Sequence, residues 1–175
     1  MKGHLILVGL PGAGKTAVGV EVGRRLGWPV IDLDAAIERR TGRTVADLFA
    51  TLGESHYRQL EWEQTAELVG TPPAVISPGG GWMTRPATVA LLAPPGKLVH
   101  LRVTPDEALR RLVAASTVAD RPLLQGPDPL GALRALARAR AAVYEGADWA
   151  VDTDVLEFQQ VVQSVVELVS PPGPG

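Results

Sequence analysis

The chain contains no cysteine among its 175 residues, which excludes disulfides, thiolate metal centres and thiol nucleophiles together. No apolar run approaches the roughly 20 residues needed to cross a bilayer. Met1-Lys2-Gly3 leads straight into a short apolar stretch without a cleavage-site pattern. A cytoplasmic protein with no membrane partner is expected. An excess of basic charge is missing too. The formal net charge is −2, which argues against nucleic acid as the main partner, because phosphate-backbone binding draws on a basic face. Lysine is scarce: only Lys2, Lys15 and Lys97 occur, and 14 of the 17 basic residues are arginine. The arginine fork suits carboxylates and phosphates, although genomic base composition produces the same bias.

What is present is ordinary globular material. A hydrophobic fraction of 46% and a charged fraction of 21% exclude disordered, coiled-coil and collagen-like classes. The length predicts one domain, residues 1–170, and a monomer is expected. Short apolar runs at His4–Val8, Pro29–Leu33, Ala74–Ser77, Lys97–Leu101 and Trp149–Val151 alternate with helix-period stretches. That alternation predicts a three-layer α/β fold around a parallel sheet. Helices are predicted over Lys15–Leu26, Leu33–Thr41, Val45–Leu52, Glu54–Val69, Pro86–Leu92, Pro105–Ala115, Pro129–Glu145 and Val155–Val169. Residues 171–175 are rich in proline and glycine and read as a flexible tail. The stretch 114–128 is polar, lies between two helices and is short of apolar anchors, so it reads as a mobile excursion.

The segment Gly9-Leu10-Pro11-Gly12-Ala13-Gly14-Lys15-Thr16 fits G-x-x-x-x-G-K-[ST] and lies between a buried strand and a helix. Glycines let the backbone curl around phosphates, and the helix N-terminus adds the positive end of a dipole. Gly12, Ala13, Gly14, Lys15, Thr16 and Ala17 are the candidate contacts to ATP. Lys15 is placed for the β- and γ-phosphates, and Thr16 for Mg²⁺. A switch GTPase should also carry a guanine-reading Asn-Lys-x-Asp, which does not occur, and a motor ATPase is usually longer. A small-molecule or nucleotide kinase is favoured.

Asp32 and Asp34 follow in Val30-Ile31-Asp32-Leu33-Asp34. Strand alternation would point both the same way at the carboxyl end of a strand, where open α/β sheets hold ligands. Asp32 is assigned to the Mg²⁺ environment, and Asp34 to the acceptor hydroxyl as orienter or base. The alternative is that one of them merely caps the helix beginning near Ala35.

From about Leu5 to Asp152 the chain resembles the shikimate kinase family. The resemblance rests on Gly9–Thr16, on Asp32-Leu33-Asp34 with Ile37–Gly42, on Phe49–Glu61 containing Arg58, on Gly79-Gly80-Gly81, on Arg121-Pro122-Leu123-Leu124, and on Arg140–Tyr144. It implies transfer of the ATP γ-phosphate to the 3-hydroxyl of shikimate, a step of chorismate and aromatic amino-acid synthesis. It also implies the nucleoside monophosphate kinase fold, with a five-stranded parallel sheet and a closing lid. Arg58 and Arg140 would hold the substrate carboxylate, Gly79, Gly80 and Gly81 would admit the ring, and Arg121 would come from the lid onto the transferring group. Arg111 would stack on adenine.

Four features depart from the family pattern. The usual Gly-Phe-Arg is here His56-Tyr57-Arg58, with His56 read as a surface residue. The proline of Arg-x-Pro-Leu-Tyr is Ala142, the stretch Ala114–Asp120 is a few residues longer than in compact members of the family, and no proline follows Val151-Asp152-Thr153. Two other readings stand beside this one. The first is another small-molecule kinase such as a gluconate kinase, and the second is a regulatory protein that senses ATP through its P-loop.

Overall fold

In this computed structural model, which describes residues 3–169, the first strand sits at the centre of the sheet. Strand β1 (Leu5–Val8) alternates Leu5 and Leu7 to one face with Ile6 and Val8 to the other, all four buried. Apolar side chains on both faces are the mark of a strand enclosed by two helical layers. The other strands are β2 (Val30–Asp32), β3 (Val75–Ser77), β4 (Lys97–Arg102) and β5 (Trp149–Asp152). They pair in the order β2-β3-β1-β4-β5, every pair parallel. Leu5 is in register with Val75 on one side and Lys97 on the other. The chain therefore winds first to one side of β1 and then to the other, and the crevice at that switch point is where such sheets bind ligands.

Helix α1 (Lys15–Leu26) and the last helix cover one face; their Val18, Val22, Val161, Val162 and Val165 join Leu5, Leu7, Val99 and Leu101 in one core. Helix α2 (Leu33–Thr41) leads to α3 (Val45–Ala66), which is broken at Gly53, where φ is 79°. The two helices predicted either side of that glycine are thus both present. After a 3₁₀ turn at Trp82–Thr84 come α4 (Pro86–Leu92), α5 (Pro105–Ala114), a second 3₁₀ turn at Pro122–Leu124, α6 (Pro129–Tyr144) and α7 (Phe158–Val169). Trp82, Leu92 and Tyr144 pack with Ile6, Val8 and Ile76 on the second face.

Three expectations need correction. β2 ends at Asp32 and Leu33 already opens α2, so Asp32 and Asp34 do not alternate along one strand. The reason is local: the Asp32 carboxylate accepts the Ala35 N–H at 3.1 Å and caps the helix. The last helix starts at Phe158 rather than Val155, which is 79% exposed. Asp154 donates its N–H to the Asp152 carboxylate and accepts that of Thr104, and such side-chain bonds compete with helix formation. The stretch 114–128 is not without an anchor. Leu124 is 2% exposed and packs with Ala108, Leu112 and Leu133, which fastens the excursion to α5 and α6. The tail expected at 171–175 lies outside the described residues.

Candidate active site

The loop between β1 and α1 opens onto a cleft of about 550 Å³ lined by Gly12, Gly14, Lys15, Thr16 and Ala17. Gly14 is the N-cap of α1 at φ 87° and brings no side chain to the first-turn N–H groups, so those donors are left for an anion. Gly12, at φ 83°, lies so close to α5 that a Cβ would stand 2.6 Å from the Ala108 carbonyl. Ala13 turns its methyl into the core beside Val18 and Val22, leaving only its backbone to the loop. Lys15 donates to the carbonyls of Gly9 and Leu10 at 2.9 and 3.0 Å. Burial, with the charges of Arg121 and Arg140, lowers its ammonium to about 8, although Asp34 and Asp32 pull the other way. The Thr16 hydroxyl donates to Asp32 at 2.8 Å. A hydroxyl and a carboxylate side by side at a phosphate loop fit Mg²⁺, which keeps most of its shell as water and phosphate.

Across the cleft, Asp34 sits in the first turn of α2, and its Oδ1 accepts the hydroxyl of Tyr57 from α3. Burial raises the Asp34 pKa, while Tyr57, Arg121 and Lys15 act against that rise. Arg58, the next residue on α3, is 8% exposed. It donates to Glu54 and, at 2.9 Å, to Glu61, whose side chain is fully enclosed. Burial pushes the Glu61 carboxyl up to about 7, with Arg58 opposing.

The triple glycine explains itself here. A Cβ on Gly79 would stand 3.0 Å from Asp34 Oδ1 and 3.1 Å from Glu61 Oε1, one on Gly80 3.0 Å from Arg140 Nη1, and one on Gly81 2.3 Å from Arg58 Nη2. Each glycine thus lies against one of the charged groups that line the cleft. Arg140, from α6, is 6% exposed, and its Nη1 is buried without a hydrogen-bond partner among the described residues.

The remaining two arginines close the cleft from the side of the excursion. Arg121 precedes the 3₁₀ turn anchored by Leu124, and its Nε is likewise buried without a hydrogen-bond partner among the described residues. Arg111 is pinned on the rim: it donates to the Thr153 hydroxyl at 2.9 Å, to the Thr153 carbonyl at 2.6 Å and to Glu107 at 2.7 Å. The structure therefore brings all the sequence-nominated residues but the Ala13 side chain to one cleft.

A family model described as shikimate kinase matches residues 11–170. The chain belongs to the shikimate kinase family. It is 40% identical over 167 residues to the shikimate kinase of Moorella thermoacetica, covering 95% of this chain and 94% of the relative. With the shikimate kinase of Symbiobacterium thermophilum it shares 41% over 165 residues, 94% of each chain. A solved shikimate kinase from Acinetobacter baumannii, in complex with shikimate, superimposes with a TM-score of 0.88 at 32% identity, covering 97% of this chain and 93% of that one. Shikimate kinases are small-molecule kinases that use ATP, so the reading as a regulatory ATP sensor falls away.

Among the departures from the shikimate kinase pattern, His56 is exposed, as expected. Sequence reasoning missed Glu61, Tyr57 as a partner of Asp34, Thr153, and Tyr144, whose hydroxyl donates to the Gly80 carbonyl at 3.0 Å. Glu61 carried a signal: Glu54, Arg58 and Glu61 follow one another at spacings of four and three, one face of a helix. Thr153 sits one residue past the end of β5, the position that faces the ligand crevice in this class of sheet.

Proposed function

We propose that this chain transfers the γ-phosphate of ATP to the 3-hydroxyl of shikimate, giving shikimate 3-phosphate and ADP. The observation that carries the reading is the joint placement of Lys15, Asp34, Arg58 and Arg140 around one glycine-lined cleft. An acceptor with both a carboxylate and hydroxyls suits such a site, since the buried Arg140 Nη1 has no hydrogen-bond partner among the described residues, Arg58 lies beside it across the glycine loop, and an acidic side chain suits a hydroxyl.

ATP lies with its phosphates on the α1 N-terminus and Lys15, its adenine against Arg111. Thr16 and Asp32 hold Mg²⁺, which when bound neutralises the phosphate oxygens. Arg58 and Arg140 take the shikimate carboxylate, and Gly79, Gly80 and Gly81 let the ring approach the backbone. Asp34 receives the hydroxyl proton as the acceptor oxygen bonds to the γ-phosphorus and the bond to the ADP oxygen breaks. Arg121 and Lys15 stabilise the charge that spreads over the transferring group. Residues 1–170 act as one kinase domain, with 114–128 as the lid, in a cytoplasmic monomer.

The test is ADP release with ATP and Mg²⁺ over shikimate, quinate, gluconate and nucleoside monophosphates. Turnover with shikimate, far above the others, is expected. Preference for gluconate or a nucleotide would transfer the chain to another kinase activity.

A further inference from the structure

Asp34 is the group on which the proposed reaction turns, and its side chain has two torsions by which it can swing away from an acceptor. What holds it comes from a different helix. The hydroxyl of Tyr57 on α3 donates to Asp34 Oδ1, whereas Asp34 Oδ2 has no hydrogen bond to the protein among the described residues. The donor is itself rigid. Tyr57 is 2% exposed, packed with Ile37 and Leu48, with its ring 4.8 Å from that of Phe49 and 5.5 Å from the Arg58 guanidinium. A ring so enclosed has one position, and its hydroxyl offers one direction. Gly79 closes the remaining side of Oδ1, with room only for its hydrogen.

We propose that Tyr57 is a positioning residue for phosphoryl transfer: by tying down Asp34 Oδ1 it leaves Oδ2 as the single oxygen presented to the acceptor hydroxyl. This rests on the reading of Asp34 as the residue that meets that hydroxyl. A carboxylate fixed in this way starts each turnover oriented, while an untethered one has to be caught in the productive rotamer, so the tether acts on kcat rather than on binding.

The experiment is steady-state kinetics of Tyr57→Phe, Asp34→Asn and the double variant with ATP, Mg²⁺ and shikimate. Tyr57→Phe keeps the ring and its packing and removes only the hydroxyl, so a purely structural tyrosine would leave kcat alone. The expected result is a fall in kcat of about tenfold with both KM values within about twofold. In the Asp34→Asn background the same change should have no further effect, because the tether then has nothing to orient. A kcat within about twofold of the parent, or an equal loss in both backgrounds, overturns the proposal. A parent that releases no ADP with shikimate overturns the reading of the acceptor and this proposal with it, which separates the two failures.

Discussion

Replacing Gly81 by alanine should isolate what the glycine loop does for Arg58. Gly81 has φ −93° and ψ −5°, a conformation alanine adopts freely, so the backbone imposes no strain. The effect is purely one of contact. The new methyl would stand 2.3, 2.7 and 2.9 Å from Nη2, Cζ and Nη1 of Arg58, and the guanidinium must retreat by about 1 Å to reach ordinary contact. Retreat is resisted, because Glu54 and Glu61 hold it at 3.0 and 2.9 Å. A guanidinium displaced that far loses a charge-assisted bond to the acceptor carboxylate, worth about 1.5–3 kcal/mol. The acceptor KM should therefore rise roughly 10- to 150-fold, while ATP binding changes little. Initial rates over an acceptor series read this directly, with Gly126→Ala as control, since nothing lies within 4 Å of a Cβ there. An acceptor KM within about twofold of the parent would refute the reasoning.

Lys15→Met should abolish transfer with the fold intact by circular dichroism, since it deletes the charge facing the phosphates and removes only two hydrogen bonds to the loop carbonyls of Gly9 and Leu10; near-parent turnover would contradict this. Arg121→Ala should lower kcat by about 10²–10³ and raise the acceptor KM far less, as for a donor aimed at transition-state charge; pre-steady-state rates check it, and an unchanged chemical step would remove Arg121 from the reaction. Glu61→Gln should alter the pH dependence of stability. The Glu61 pKa is raised from 4.5 to about 7 in the fold, so its contribution is full below about pH 4.5 and is lost as pH rises through about 7. Relative to the variant, the parent should lose about 3 kcal/mol between those limits, measured by urea unfolding across pH; a constant difference between the two would contradict the burial argument.

Features governed by neighbours in the chain were legible in advance. The phosphate loop is a local device, needing glycines, a lysine and a following helix at fixed spacing, and it stands between β1 and α1 as its pattern requires. The central strands β1 and β3 showed as apolar runs because both faces of the sheet are covered there, while the edge strands β2 and β5 are partly exposed. Asp32 was harder, since one carboxylate both caps α2 and meets Thr16, and alternation alone cannot separate a strand's last residue from a helix's cap. Glu61 was only half legible: its spacing from Glu54 and Arg58 marks a shared helix face, but an acid on a helix surface looks solvated until Arg58 and the glycine loop close over it. The same holds for Tyr57, which reads as a core aromatic unless the helix carrying Asp34 is known to lie against it. Leu124 looked like one of a few apolar residues in a largely polar loop, and its burial depends on α5 and α6 meeting beneath it.

The central claim is a transfer from ATP to one hydroxyl of one acid, and it is tested most directly by following the phosphate. Incubated with γ-labelled ATP, Mg²⁺ and shikimate, the protein should move one label per ADP formed onto the acceptor, with phosphorus–proton NMR placing it on the 3-oxygen. Label recovered as inorganic phosphate, or on any other oxygen, would contradict the account.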